Sequence, residues 1–223
     1  MRLQSAIFDM DGTLLDSMGM WRTLGSTLAQ NHGAVPPPGL DLRVASLGLW
    51  EGTAYCKEAC GLPGTVEELV QEIWGQIEAF YRHDVRPKPG LVRFLSILKM
   101  EGVWMYVATA TDRPLAEAAL KTAGIDGFFR GMITSREAGQ TKREGPEIYE
   151  QALRRLRSNK KDTVVFEDAL HALRTAKAAG FRTAAVYDES EPEQEELRRL
   201  ADYYIESFEE MTQIGRASCR ERV

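Results

Sequence analysis

Cysteine is scarce in this sequence, and its three cysteines do not form the pattern of a disulfide framework or a zinc site. Cys56 and Cys60 are separated by one turn of a helix, and Cys219 stands alone. No second Cys/His pair completes a tetrahedral zinc site. The three histidines are scattered and are interpreted as surface or capping residues. We therefore expect reduced thiols, with Cys56 or Cys60 as a core residue.

Long apolar runs and basic stripes are also absent. No apolar run approaches the ~20 residues that span a bilayer, and the first predicted strand begins too early for a signal peptide. The net charge is −5, with acidic and basic residues interspersed along 223 residues. We expect a cytoplasmic monomer without a membrane or nucleic-acid partner, folded as one large domain or as a domain with an insertion.

The sequence is organised around Asp9-Met10-Asp11-Gly12-Thr13, which follows the apolar run Ala6-Ile7-Phe8. This pattern predicts a buried strand that enters a tight turn. The carboxylates of residues two apart in an extended strand point to the same side and repel one another. A bound Mg²⁺ ion commonly offsets this repulsion. Gly12 permits a positive φ, so that consecutive N–H groups can face an anion. A loop that only caps the strand is the alternative, and a calcium loop is disfavoured because the required glutamate is missing.

The rest of the chain divides into a helical part and an alternating part. Helical spacings fill residues 18–82, and Thr65 and Glu68 form a predicted capping box. From Leu91 onward, apolar strands alternate with helices, which predicts a parallel sheet with helices on both faces. We therefore predict an α/β protein with a Rossmann-like three-layer parallel-sheet core, residues 1–15 and 88–213, and an inserted all-helical cap domain, residues 16–87.

The last ten residues, 214–223, lack periodicity and resemble the translation of a sequencing-adapter read-through. We interpret them as a non-native tail and exclude them from the fold prediction. A short natural basic tail is the alternative interpretation.

Polar residues follow two further predicted strands, at the edge of the sheet where ligands bind in parallel α/β proteins. Thr109 follows the strand at 103–108, and Glu167-Asp168 follows the strand at 163–166. Lys142-Arg143-Glu144-Gly145 precedes Pro146-Glu147-Ile148-Tyr149 at the start of a predicted helix. With the motif at Asp9, these segments resemble the four motifs of the haloacid-dehalogenase-like (HAD) superfamily, in the same order. The inserted segment is similar to the helical cap of its phosphatase/β-phosphoglucomutase-like group.

The resemblance implies a Mg²⁺-dependent phosphomonoesterase that acts on a small phosphorylated metabolite through an aspartyl-phosphate. It implies Asp9 as the nucleophile, Asp11 as the general acid and base, and Thr109 and Lys142 as catalytic contacts to the phosphate. The implied metal ligands are the carboxylates of Asp9, Glu167 and Asp168 and the backbone carbonyl of Asp11. The predicted substrate-binding residues are Gly12, Thr13, Ala110, Arg143 and Trp50.

The position of the third motif is open between two residues. Counting back from Pro146 selects Arg143, whereas residue type selects Lys142, which we prefer. The cap is the expected source of substrate choice, and residues 46–52 are interpreted as a loop that could reach over the site. Trp50 in this loop could stack on a sugar or base, although we favour a role in the cap core for the tryptophans Trp21, Trp50 and Trp74.

Other functions within the resemblance are kept as alternatives. A sugar-phosphate mutase of the β-phosphoglucomutase type is disfavoured because no histidine follows the first motif before His32. Dehalogenation is disfavoured by Asp11, and phosphonate cleavage by a cap that offers only Lys57 for a Schiff base. A catalytically inactive binding protein on the same fold is the remaining alternative.

Overall fold

The core of the fold is a parallel sheet of six strands. The computed structural model describes residues 3–211, except for the side chains of residues 45 and 46. The sheet has the order β3-β2-β1-β4-β5-β6, and its pairings are parallel. The strands β1 to β6 are Ser5–Phe8, Trp104–Thr109, Met132–Thr134, Thr163–Glu167, Arg182–Val186 and Tyr203–Ile205. The predicted α/β class is confirmed, and the strand before Asp9 lies at the centre of the sheet.

A separate helical unit follows β1. Residues Ser17–Asp84 form one compact unit, and the sheet belongs to the other. Thr65 begins the last helix of this unit with the expected capping box, because Glu68 N–H donates to Thr65 Oγ1 at 3.2 Å and Thr65 N–H donates to Glu68 Oε2 at 2.8 Å. The helices α1 to α5 are Met18–Arg22, Leu24–Asn31, Leu40–Leu47, Leu49–Cys60 and Val66–Ala79, followed by a π-helical turn at Phe80–Asp84.

Two details of the helical unit differ from the sequence prediction. The periodicity predicts one helix over residues 18–28, but the structure has two helices, separated at Thr23. Thr23 Oγ1 donates to Gly19 O at 2.9 Å. Such side-chain bonds to nearby carbonyls compete with the backbone ladder of a helix. The prediction of a loop at residues 46–52 is also wrong. The chain is helical on both sides of Gly48, and this residue alone, with a φ of 76°, separates the two helices.

The remaining helices belong to the unit that contains the sheet. The short helix Ser135–Ala138 was not predicted, and a capping box between Thr134 and Glu137 begins it. Within the part of the chain that the structure describes, no helix is both long and apolar enough to cross a membrane. The predicted tail at 214–223 lies outside the described residues. The helices α6 to α11 are Leu91–Met100, Arg113–Thr122, Ser135–Ala138, Glu147–Leu156, Leu170–Ala178 and Gln194–Leu200, with 3₁₀ turns at Asp126–Phe128, Lys160–Asp162 and Phe208–Glu210.

Successive residues of the central strands face different helices, which makes three layers. Ile7 of β1 belongs to the same buried cluster as Ile148 of α9. The next residue, Phe8, stacks on Phe166 with the ring centroids 4.3 Å apart, and Phe94 of α6 packs edge-on against Phe166. Because side chains alternate along a strand, the sheet is buried on both faces. This arrangement confirms the predicted three-layer core.

Two linkers connect the sheet unit to the helical unit, and they pair with each other. Asp16 N–H donates to Arg86 O at 3.0 Å, and Lys88 N–H donates to Leu14 O at 2.9 Å. The linkers therefore form a short antiparallel ladder within the sheet unit. The two ends of the inserted segment leave and re-enter the sheet unit side by side.

Candidate active site

The carboxyl ends of three adjacent strands carry the predicted catalytic residues. Asp9 directly follows β1, Thr109 is the last residue of β2, and Glu167 is the last residue of β4. The ladder between β1 and β4 extends as far as Asp9, because Asp9 N–H donates to Phe166 O at 2.9 Å. Since the strands are parallel, these ends meet at one edge of the sheet, where α/β proteins bind ligands.

Asp9, Glu167 and Asp168 form a cluster of three carboxylates. One oxygen atom from each lies within 4.8 Å of the others. All three residues are buried, and Glu167 is completely inaccessible to solvent. Burial is the larger cause and the negative charge of Asp9 the second, and together they raise the pKa values of Glu167 and Asp168 above the ordinary ones. Three carboxylates held so closely away from water are unfavourable unless positive charge compensates them.

The carboxylate of Asp11 lies outside this cluster. From sequence we expected it to share a site with the carboxylate of Asp9, but its Oδ2 accepts a hydrogen bond of 2.7 Å from Thr111 Oγ1. The physical reason is that the chain has left the strand at this point and turns at Gly12, which has a φ of 76°. Gly12 N–H donates to Leu15 O at 3.0 Å. This N–H, which we expected to face an anion, therefore forms a hydrogen bond within the turn.

Lys142 supplies positive charge within the carboxylate cluster. Its Nζ donates to Asp9 Oδ1 and to Glu167 Oε1, the second at 2.7 Å, and its side chain is 7% exposed. Burial opposes its charged form, but the two carboxylates outweigh burial and raise the pKa of Lys142 above its ordinary value. The neighbouring Arg143 is exposed. The structure therefore brings Lys142, and not Arg143, to the carboxylate that the third motif is expected to hold.

Local hydrogen bonds explain why Lys142 points inward. Thr141 N–H and Thr141 Oγ1 both donate to Glu144 Oε2 at 2.8 Å, which closes a tight turn around Lys142. Thr175 of α10 donates from Oγ1 to Lys142 O at 2.7 Å and fixes the backbone of that turn. Sequence reasoning missed Thr175, because a threonine on a helix face carries no signal for a partner 33 residues away.

The predicted phosphate contacts have different surroundings. Thr13 is fully buried, and its Oγ1 donates to Asp168 Oδ1 at 2.8 Å, so its side chain orients a carboxylate of the cluster. Thr109 is also buried, and its Oγ1 accepts a bond of 3.1 Å from Thr111 N–H. A hydroxyl that accepts one hydrogen bond can still donate its own hydrogen. Ala110, which follows Thr109, is exposed.

The tryptophans of the helical unit were expected to be core residues, and for two of them this was wrong. Trp50 is 53% exposed and Trp74 is 37% exposed. Trp21 is partly buried, and its Nε1–H donates to Tyr81 OH at 3.1 Å within the same unit. The exposure of Trp50 is compatible with a role in substrate binding, which stays a prediction.

Tyr149 is a site residue that sequence reasoning missed. Its ring is fully buried, and its hydroxyl donates to Glu167 Oε1 at 2.7 Å. The available signal was the aromatic residue of the segment Pro146-Glu147-Ile148-Tyr149, which we had used only to locate the third motif and the start of a helix.

The carboxylate cluster fits a divalent metal ion. Glu167 Oε2 is buried, and among the described residues it has no hydrogen-bond partner. An unsatisfied buried acceptor costs on the order of 1–3 kcal/mol, and more if it is charged. Carboxylate oxygens are the donors that hard cations prefer. A cation held by Asp9, Glu167 and Asp168 would therefore satisfy this oxygen and offset the excess negative charge.

Comparison with known proteins identifies the family. A family model for haloacid dehalogenase-like hydrolases matches residues 3–180. The chain therefore belongs to this family of hydrolases.

Its relatives narrow the class of enzyme. The phosphorylated carbohydrates phosphatase of Thermotoga maritima is 25% identical over 178 residues, which cover 80% of this chain and 82% of the relative. The N-acetylmuramic acid 6-phosphate phosphatase of Pseudomonas aeruginosa is 27% identical over 224 residues, which cover 98% of each chain. The solved structure of CbbY from Rhodobacter sphaeroides in complex with phosphate has the same fold, with a TM-score of 0.74, 23% identity, and coverage of 96% of this chain and 98% of that chain. The predicted HAD-like enzyme of the phosphatase type is confirmed.

Proposed function

We propose that the protein is a Mg²⁺-dependent phosphomonoesterase that acts on a small phosphorylated metabolite through a phosphorylated Asp9. The observation that carries this proposal is the buried Asp9 carboxylate, which accepts a hydrogen bond from Lys142 and lies beside the carboxylates of Glu167 and Asp168. Phosphorylated sugars are the first substrate class to test, because two relatives are named for phosphorylated carbohydrates and for N-acetylmuramic acid 6-phosphate.

In the first half of the proposed reaction, Asp9 is the nucleophile. One of its oxygens attacks phosphorus in line with the departing oxygen, and the product is an acyl phosphate. Lys142 donates a hydrogen bond to Asp9 Oδ1 and, with Thr109, donates hydrogen bonds to the phosphoryl oxygens. When bound, Mg²⁺ offsets the negative charge shared by the carboxylates and the phosphate.

Asp11 is assigned both proton transfers. Its hydrogen bond from Thr111 holds the carboxyl group beside the end of β2. In its protonated form Asp11 donates to the departing oxygen of the substrate. It then takes a proton from the water that hydrolyses the phosphorylated Asp9, which returns both groups to their starting state. We also keep as predictions the backbone carbonyl of Asp11 as a metal ligand, and Thr13, Ala110, Arg143 and Trp50 as substrate contacts.

The test is Asp9→Asn, assayed by phosphate release from sugar phosphates, nucleotides and phosphoglycolate, with Mg²⁺ or with EDTA. We expect turnover to fall by at least ~10³-fold, because the amide is not a nucleophile. The fold should persist, since the amide oxygen can still accept from Lys142. Asp16→Asn is the matched control, because Asp16 is exposed and lies seven positions further along the same segment. Retained phosphatase activity in Asp9→Asn would reject the assignment.

The same assay separates the alternative functions. A sugar-phosphate mutase would return an isomeric sugar phosphate and release no inorganic phosphate, and an inactive binding protein would do neither. Phosphonate cleavage through a cap lysine is further disfavoured by Lys57, whose Nζ donates to Leu62 O at 2.8 Å beyond the end of α4. Monomeric state, absence of a nucleic-acid partner and cytoplasmic location stay predictions. Light scattering after size-exclusion chromatography tests the first of these.

A further inference from the structure

We propose that Tyr149 is a positioning residue that presents one oxygen of Glu167 to the metal ion. The inference rests on the metal site of the proposed function. Tyr149 OH and Lys142 Nζ both donate to Glu167 Oε1, each at 2.7 Å. The other oxygen, Oε2, is buried and accepts no hydrogen bond within the described residues 3–211.

This unequal distribution of donors is unusual for a glutamate with a purely structural role. The terminal torsion of a glutamate is broad, so its carboxylate can rotate to share two nearby donors between its two oxygens. At Glu167 both donors instead hold the same oxygen, and the second oxygen is left to a ligand that carries positive charge. Polar groups that hold a metal-binding side chain in this way commonly set both its orientation and its affinity for the metal.

Tyr149 is itself held in place, so the position of its hydroxyl is fixed. Its ring is fully buried and packs edge-on against Phe181, with the centroids 6.2 Å apart. Lys142 Nζ lies 5.9 Å from the centroid of the same ring. The hydroxyl has a second acceptor, Ala172 O, at 3.5 Å. The bond to Glu167 is much the shorter of the two and determines where the hydrogen points.

The variant Tyr149→Phe removes the hydroxyl and leaves the ring. We expect its affinity for Mg²⁺, measured by calorimetric titration of EDTA-treated protein, to fall by ~10-fold or more. The Mg²⁺ concentration that produces a given rise in Tm above the value in EDTA should increase by the same factor. The half-saturating Mg²⁺ concentration of the phosphatase reaction should follow, whereas kcat at saturating Mg²⁺ should change far less.

Tyr106→Phe is the matched control. Tyr106 lies in the same buried cluster, and its hydroxyl donates to a backbone carbonyl, Met132 O, at 3.1 Å. Both variants lose one buried hydroxyl and one hydrogen bond, but only Tyr149 contacts the carboxylate cluster. A role of Tyr149 in packing alone would lower Tm equally with and without Mg²⁺ in both variants, and it would leave the Mg²⁺ affinity unchanged.

The outcomes are distinguishable. If wild-type protein and the control bind Mg²⁺ equally and Tyr149→Phe binds more weakly, the inference is supported. If all three bind Mg²⁺ with the same affinity, the positioning role is overturned and the metal site of the proposed function stands. If wild-type protein binds no Mg²⁺ by calorimetry or thermal shift, both the inference and the proposed metal site are overturned.

Discussion

Removal of the positive charge at Lys142 should destabilise the protein strongly, and removal of the charge at the next residue should not. The Lys142 side chain is 7% exposed and bonds to the carboxylates of Asp9 and Glu167. The variant Lys142→Met keeps most of the apolar volume but leaves three buried carboxylates without their cation. Arg143→Met is the matched control, because Arg143 is exposed.

The expected magnitude follows from these contacts. Removal of one partner of a buried ion pair costs about 3–5 kcal/mol, which for a chain of this length corresponds to a decrease in Tm of about 6–20 °C. The control should change the free energy of unfolding by no more than about 0.5 kcal/mol, as is usual for an exposed site. Because Lys142 also contacts Asp9, the proposed nucleophile, phosphatase activity should fall by ~10²-fold or more in Lys142→Met.

The assay is denaturant unfolding of both variants in EDTA and again in Mg²⁺. A ligand present at 100 times its dissociation constant stabilises the folded state by about 2.7 kcal/mol. Mg²⁺ should bind Lys142→Met more tightly than wild type, because no ammonium group competes for the carboxylates. The difference in stability between the two proteins should therefore be smaller in Mg²⁺ than in EDTA.

Equal stability of Lys142→Met and Arg143→Met in EDTA would refute this reasoning, since it would mean that the carboxylates need no cation from the protein. A larger effect for Arg143→Met would return the third motif to the position obtained by counting back from Pro146.

Two further predictions concern the fold. Gly90→Ala should cost about 2–5 kcal/mol, because a Cβ at φ 78° would also lie 2.3–2.7 Å from the backbone of residues 208–209. Gly102→Ala, at φ 76° with open space around it, should cost only about 1–2 kcal/mol in the same denaturant titration. Burial, followed by the charge of Cys60, raises the pKa of Cys56 to about 12. Peptide mapping after alkylation of native protein should therefore find Cys60 modified and Cys56 unmodified, and labelling of Cys56 in folded protein would contradict its burial.

The positions at the strand ends could be predicted from sequence because they depend on local patterns. An apolar strand followed by a polar residue is visible at Asp9, Thr109 and Glu167, and parallel topology then brings strand ends to one edge. The hydroxyl groups that bond to Asp11 and Glu167, on Thr111 and Tyr149, could not be predicted in the same way. They lie in other segments of the chain, and they make these contacts only in the folded structure.

The exposed tryptophans show a second limit of sequence patterns. The buried residues of helix α5 lie on one broad face: Leu69, Val70, Ile73 and Ile77. Trp74 lies about 100° around the helix from Ile73, at the border of that face. Its apolar character suggested a core position, whereas its place in the helical repeat decided its exposure.

The position of β1 in the sheet has a consequence for the order in which this protein can assemble. Ser5 pairs on one side with Trp104 and on the other with Thr163. During synthesis, the strand that precedes Asp9 therefore leaves the ribosome long before either neighbour exists. The helices of residues 17–84 make their contacts locally and can form in the meantime. A nascent chain that stops before residue 163 contains Asp9, the proposed nucleophile, after an apolar strand that still lacks one of its two neighbours, so chaperone binding to such chains is to be expected until β4 has been made.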